Sequence, residues 1–162
     1  MKDIVFSPIG TIHSPHKKLT GMPIQPRAAI GILGEVTVFP EFVEGLADLE
    51  GFSHVYLLYH LHRAVHCRLR VIPFLDSKPR GVFATRAPSR PNPLGLSIVR
   101  LREVRGDTLV VENIDILDGT PLIDIKPYAP AFDCWEVDSV GWLDKRDDSL
   151  TTARSDDRFK RT

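Results

Sequence analysis

The apolar residues of this chain are gathered into short runs punctuated by glycine and proline, a pattern that long helices cannot carry. Runs at 5–13, 29–39, 54–62, 68–73, 81–85, 94–104, 108–114 and 122–126 read as strands. Arg105-Gly106-Asp107 supplies a hairpin turn, and Asp118-Gly119 a bend before the last run. Residues 16–28 carry Pro23 and Pro26 among polar neighbours and read as a long loop. Only 42–49, with Phe42, Val43, Leu46 and Leu49 at helical spacing, predicts a helix, which Gly51 ends. The pattern therefore predicts a mainly β barrel or sandwich with one short helix. A doubly wound, Rossmann-type nucleotide-binding sheet needs several long helices, and none is visible.

A chain of 162 residues is one domain with room for a sizeable core. No apolar run approaches the roughly 20 residues that span a bilayer, and the N-terminus lacks the pattern of a signal peptide. Cys67 and Cys134 are far apart and fit no paired spacing. Free thiols and a cytoplasmic location are expected, without membrane attachment. After Leu143 the residues are charged or small and polar, so the expected organisation is a domain over 1–143 and a charged, flexible tail over 144–162. Net charge is zero but uneven. Residues 35–50 hold five acids and no Lys or Arg, whereas 60–105 hold ten bases against two acids, a local charge of +8. Such a block attracts a polyanion if it folds onto one face, and is merely solvated if it does not.

The densest chemistry lies at 86–97. Two arginines, three prolines, an asparagine and a glycine share this stretch. The prolines restrict the backbone, so Arg86 and Arg90 stand on a pre-shaped support suited to an anion or a planar ring. A rigid turn with solvated arginines satisfies the same composition. A second dense stretch, 117–128, places Asp118 beside Gly119, where backbone amides can approach a ligand closely, with Lys126 and Tyr128 at its rim. Pro23-Ile24-Gln25-Pro26 is a proline-braced loop carrying one amide side chain. His54, His60, His62, His66 and Cys67 invite a metal reading, but no HExxH or paired-Cys spacing supports it, and no metal is expected. Glycine-rich phosphate cradles and the Gly-x-Ser-x-Gly elbow are missing.

Taken together, these stretches resemble a known family. The run from Gly81 through Arg86, Arg90, Asn92 and Gly95 to Ser97 resembles the signature of the TsaA-like (TrmO) family. Asp118-Gly119-Thr120-Pro121 with Asp124-Ile125-Lys126-Pro127-Tyr128 resembles its second signature. Ile9-Gly10-Thr11-Ile12-His13-Ser14-Pro15 and Leu49-Glu50-Gly51-Phe52-Ser53-His54 are similar to its opening and central segments. The resemblance covers about residues 4 to 143. It implies a small single-sheet β-barrel, a homodimer, and S-adenosylmethionine as cofactor. It also implies methylation of N6 of threonylcarbamoyl-adenosine at position 37, in the anticodon loop of tRNA. Carried over by position, the cofactor residues would be Pro23, Ile24, Gln25, His60, Leu61, Arg86, Leu96, Leu117, Asp118, Gly119 and Thr120. Arg90, Asn92 and Tyr128 are added as candidates for meeting RNA, from their side-chain chemistry. Longer members carry a further C-terminal domain, so the RNA substrate is less secured by the resemblance than the cofactor.

Methyl transfer from a sulfonium is an in-line displacement, so positioning supplies much of the rate. A cation beside the sulfur would not help, which directs Arg86 to a carboxylate, a ring face or a phosphate. His60 is a candidate general base. Two other functions fit the residues less completely. One is a non-catalytic S-adenosylmethionine-binding module that regulates a partner; the other is a metal hydrolase using the His/Cys group.

Overall fold

The computed structural model describes residues 3–144 and 151–159. Its main body is a closed, wholly antiparallel six-stranded barrel. The barrel strands are β1 (Gly10–His13), β2 (Leu33–Val38), β3 (His54–His60), β6 (Leu94–Arg105), β7 (Thr108–Glu112) and β8 (Thr120–Pro127), closing in the order β1-β2-β7-β6-β3-β8. Two short strands, β4 (Arg70–Val71) and β5 (Arg80–Gly81), pair outside it.

Period-two alternation builds the core. Along β3, Val55, Leu57 and Tyr59 turn inward and are buried, while Tyr56, Leu58 and His60 face out. Ile12, Val36, Val38, Val99, Leu109, Val111 and Leu122 do the same on the other strands, with Ile114 and Ile116 plugging the barrel from the β7–β8 connection. Each such burial stabilises by about 1.5–3 kcal/mol before chain entropy is charged against it. Closure leaves no free sheet edge in the barrel.

Antiparallel order also decides where the long connections go. β1, β7 and β3 end, and β2, β8 and β6 begin, at the same mouth of the barrel. The connections 14–32, 61–93 and 113–119 therefore all gather there. At the opposite mouth, β6 and β7 are joined by a two-residue turn at Gly106 and Asp107.

Four expectations are corrected. The strand expected over 5–13 begins only at Gly10, and Ile4, Val5 and Phe6 are exposed. The helix expected over 42–49 is a 3₁₀ segment, Pro40–Leu46, followed by another, Leu49–Gly51. Asp48 between them takes the left-handed backbone conformation (φ 65°), which breaks helical continuity. The α-helix among the described residues is the four-residue α1 (Pro130–Asp133). The strand expected over 81–85 is a 3₁₀ turn, Val82–Ala84, whose Val82 carbonyl accepts from the Thr85 hydroxyl at 2.9 Å.

The fourth correction concerns the tail. Over 151–159 the chain docks on the barrel mouth instead of fraying. The Ser155 carbonyl accepts from the Gly21 amide and its own amide donates to Met22 O, both at 2.8 Å. Its hydroxyl accepts from the Met22 amide at 2.9 Å. Arg158 Nη1 donates to Pro73 O at 2.6 Å, and the Phe159 ring stands edge-on to Phe74 at 5.0 Å. The remainder of the expected tail, 145–150 and 160–162, lies outside the described residues. No helix among the described residues is long and apolar enough to cross a membrane.

Candidate cofactor cleft

The gathered connections enclose a cleft at the barrel mouth. One wall is apolar, with Leu19, Met22, Ile24, Leu61 and Leu117. Arg86, His62, Asp115 and Thr120 bring polar groups to it, and Ser155, Asp156 and Phe159 of the docked tail form another side. Each wall has a local cause. Pro26 opens a 3₁₀ turn and holds the Pro23–Gln25 loop over the mouth. Gly119, at φ 73°, reverses the chain so that Thr120 starts β8, and the Thr120 hydroxyl donates back to Leu117 O at 2.6 Å.

Six residues expected at the cofactor meet in this cleft: Pro23, Ile24, Leu61, Arg86, Leu117 and Thr120. They come from three connections and the start of β8, and are separated in sequence by up to about a hundred positions. Others do not line it. Gln25 is half-buried beside it. Asp118 turns away, ion-paired to Lys17 at 2.7 Å and accepting from the Ser14 amide at 3.1 Å. Its carboxyl is held below the usual range, first by the Lys17 hydrogen bond and then by Ser14. Gly119 is the turn between them. His60 and Leu96 lie on the outer face of β3 and β6, exposed.

His60, the candidate base, thus sits away from the cleft. Strand parity ends at that residue: the chain turns at once, with the Ala64 amide donating to Leu61 O, and His62 faces the cleft instead. Burial, then the neighbouring Arg63 charge, keeps the His62 imidazole pKa below its ordinary value. Arg90 is turned inward. Its Nη1 donates to Thr85 O at 2.8 Å and Val82 O at 3.2 Å, so it braces the 3₁₀ turn beneath Arg86. Asn92 is exposed and its carbonyl closes a tight turn with the Leu94 amide. Tyr128 packs edge-on to Tyr56 and His54 on the outer wall.

The basic block is divided. Arg80, Arg102 and Arg105 are ion-paired to Asp76, Glu112 and Glu103. Arg63, Arg68 and Arg86 are exposed on the 61–93 connection. Among the described residues no three His, Cys, Asp or Glu side chains lie together as a metal site requires. His54 is engaged with Ser53 and Tyr128, while His66 and Cys67 are exposed.

Sequence reasoning missed a polar chain beneath the cleft. The Tyr59 and Ser97 hydroxyls are 3.0 Å apart, and the Ser97 hydroxyl donates to Asp115 Oδ1 at 2.7 Å. Ser97 has one proton to give, so Tyr59 donates to Ser97 and Ser97 to Asp115. Burial raises the Asp115 carboxyl to about 6, against the pull of the Ser97 hydrogen bond and the Arg86 charge. Burial, then the charge of Asp115, raises the Tyr59 phenol, which stays protonated as a donor. Gly95 makes the chain possible. It is the cross-strand partner of Tyr59, and a Cβ there would collide with the Tyr59 ring. The only sequence signal was the glycine two residues before Ser97 inside the first signature.

A profile of the family described as the tRNA-methyltransferase O N-terminal domain matches residues 11–134. A "Probable S-adenosyl-L-methionine-binding protein" of Pyrococcus abyssi is 55% identical over 156 residues, covering 96% of this chain and 85% of that protein. The tRNA (adenine(37)-N6)-methyltransferase of Escherichia coli is 37% identical over 140 residues, covering 80% of this chain and 60% of the enzyme. The crystal structure of TrmO from Pseudomonas aeruginosa superposes with a TM-score of 0.74 at 40% identity, covering 86% of this chain and 62% of that one. This chain thus spans about three-fifths of those two longer proteins. On the match across the barrel and both signatures, the chain belongs to the tRNA-methyltransferase O family.

Proposed function

We propose that this protein is an S-adenosylmethionine-dependent methyltransferase acting on N6 of an adenine in tRNA, with threonylcarbamoyl-adenosine at position 37 as the specific acceptor. The observation that carries this reading is the convergence of Pro23, Ile24, Leu61, Arg86, Leu117 and Thr120 on one cleft. The cleft chemistry fits the cofactor. Apolar side chains suit the adenine faces, and the Arg86 guanidinium suits the carboxylate of the methionine moiety. When bound, the cofactor supplies an electrophilic methyl group on a sulfonium.

The chain's own residues position and shield. Arg86 anchors the cofactor at its carboxylate end, away from the sulfonium, whose positive charge a guanidinium would repel. The apolar wall excludes water, which strengthens every polar contact within. The rigid support under Arg86, braced by Arg90, limits the entropy lost on binding. Exposed Arg63 and Arg68 give the mouth a positive rim for RNA phosphates, with binding that weakens as salt rises. The outer face of β3 and β6 presents Leu94, Leu96 and Ile98 to solvent, an apolar strip suited to a second copy of the chain. Such a homodimer would bring a partner surface against His60 and Leu96.

One specific observation favours a second reading. The archaeal relative that spans nearly all of this chain is named for binding S-adenosylmethionine and for no reaction. A binding module that reports the cofactor to a partner is the alternative. Incubation with cofactor and tRNA that lacks only the final N6 methyl group separates the two. Methyl incorporation into adenine 37 supports the enzyme, and tight cofactor binding without turnover on any tRNA supports the module.

A further inference from the structure

The Tyr59–Ser97–Asp115 chain brings an ionisable group to the cleft where an uncharged acceptor would serve the fold as well. Asp115 stands at the cleft wall, with the end of a hydrogen-bond relay behind it and the cleft in front. The fold needs an acceptor there, because Asp115 satisfies the buried Ser97 hydroxyl, but it does not need a charged one. Half-buried, its charge costs stability, and an asparagine would accept the same hydrogen bond without that cost. The relay has a second property. Both hydroxyl protons point toward Asp115, so the relay orients the carboxylate and favours its ionised form. Its neighbours are few. Tyr59 faces it from β3, Ser97 from β6 and Arg86 from the 61–93 connection. Among the described residues, His62 and Arg63, after β3, and Asp156, in the docked tail and ion-paired to Arg158, complete the titratable and charged groups of the cleft.

The reaction leaves a proton to be handled. An adenine N6 that carries an acyl substituent is a weak nucleophile and keeps one N–H. As its nitrogen–methyl bond forms, the methyl–sulfur bond breaks with its electron pair left on sulfur, and the N–H proton must go to a base. His60, expected in that role, faces outward. We propose that Asp115, held by the Tyr59–Ser97 relay, is the carboxylate that accepts this proton and later passes it to water, a role that rests on the methyltransferase reading above.

The carboxyl, raised to about 6 by burial, is ionised at neutral pH yet basic enough to take a proton. The rate is therefore expected to fall as pH drops through that value. Ser97 hydrogen-bonds the ionised form, so Ser97→Ala raises the carboxyl further and moves the acid limb of the pH–rate profile upward. A purely structural Ser97 would lower the rate at every pH and leave the limb in place.

The test compares wild type, Asp115→Asn and Ser97→Ala with S-adenosylmethionine and tRNA lacking the N6 methyl. Carboxyl carbon-13 NMR of the protein alone is expected to find Asp115 titrating near its raised value, and higher in Ser97→Ala. Calorimetry is expected to find cofactor affinity within about threefold of wild type for Asp115→Asn, and single-turnover transfer down by about 10² or more. Near-wild-type transfer by Asp115→Asn overturns the proposal, and so does an unmoved acid limb in Ser97→Ala, which would leave His62 as the titrating group. A loss of cofactor affinity of tenfold or more also overturns it, because Asp115 would then be a cofactor ligand. No transfer by wild type overturns the methyltransferase reading itself, a result distinct from transfer that survives Asp115→Asn.

Discussion

Gly95→Ala tests whether the polar chain beneath the cleft is built by the close approach of β6 to Tyr59. A Cβ at position 95 would stand 2.7 Å from Tyr59 Cδ2 and closer still to two other ring atoms. Ordinary carbon contacts are about 3.5–4.0 Å, so the ring would have to retreat by about 1 Å or more. It has nowhere to go. Tyr59 is 7% exposed, packed in the barrel core, and tied through its hydroxyl to Ser97 at 3.0 Å. Overpacking of this kind costs about 1–3 kcal/mol. The smaller conformational freedom of alanine in the unfolded chain returns about 0.4–1 kcal/mol. A net loss of about 1–2 kcal/mol is expected, lowering Tm by about 2–8 °C for a chain of this size. Urea denaturation measures it. The decisive arm repeats the substitution in a Tyr59→Leu background, where the ring is gone and the cost of Gly95→Ala should shrink by about 1 kcal/mol or more. Wild-type stability of Gly95→Ala, or strict additivity of the two changes, would refute the reasoning.

Three further outcomes are expected. The Asp115 carboxyl is raised in the folded state, so the native protein binds its proton more tightly than the unfolded chain does; the stabilisation present below about pH 4 is lost as pH rises through about 6. Asp115→Asn should therefore stabilise the protein at pH 7 by about 1–3 kcal/mol and flatten that decline, measured by urea denaturation across pH 4–8. Ending the chain before Thr151 removes the Ser155, Asp156 and Phe159 wall and should weaken cofactor binding by about tenfold or more while the barrel stays folded; unchanged affinity by calorimetry would remove the tail from the site. Leu96→Glu places a charge on the apolar strip of β6 and should convert a dimer to monomer by light scattering at micromolar concentration; a wild-type monomer would contradict the dimer itself.

The barrel was legible where local chemistry and tertiary packing agree. The hairpin at Gly106, the alternation of Val55, Leu57 and Tyr59, and the bend at Gly119 are all set by their own few residues. The two signatures drew attention to Arg86 and Thr120, and both line the cleft. Side-chain direction was not. Arg90 reads as a surface cation, yet the Val82 and Thr85 carbonyls of a 3₁₀ turn draw it inward. His60 and His62 look equivalent in a strand of period two, but the strand stops between them and only His62 reaches the cleft. The Tyr59–Ser97–Asp115 relay depends on the register Tyr59↔Gly95, a pairing across 36 positions that no local pattern announces. The docking of 151–159 hid behind its composition, because its anchors are the backbone and hydroxyl of Ser155, the Arg158 bond to a backbone carbonyl and one phenylalanine.

The central claim is that the mouth of the barrel holds S-adenosylmethionine with Arg86 as an anchor. Calorimetric titration of the cofactor into wild type and Arg86→Ala tests it directly. Saturable binding of one cofactor per chain is expected, weakened about ten- to a hundredfold by the loss of a charge-assisted contact, with the fold of the variant unchanged. Saturable binding that Arg86→Ala leaves intact would contradict the assignment of the cleft, and no binding by wild type would contradict the cofactor.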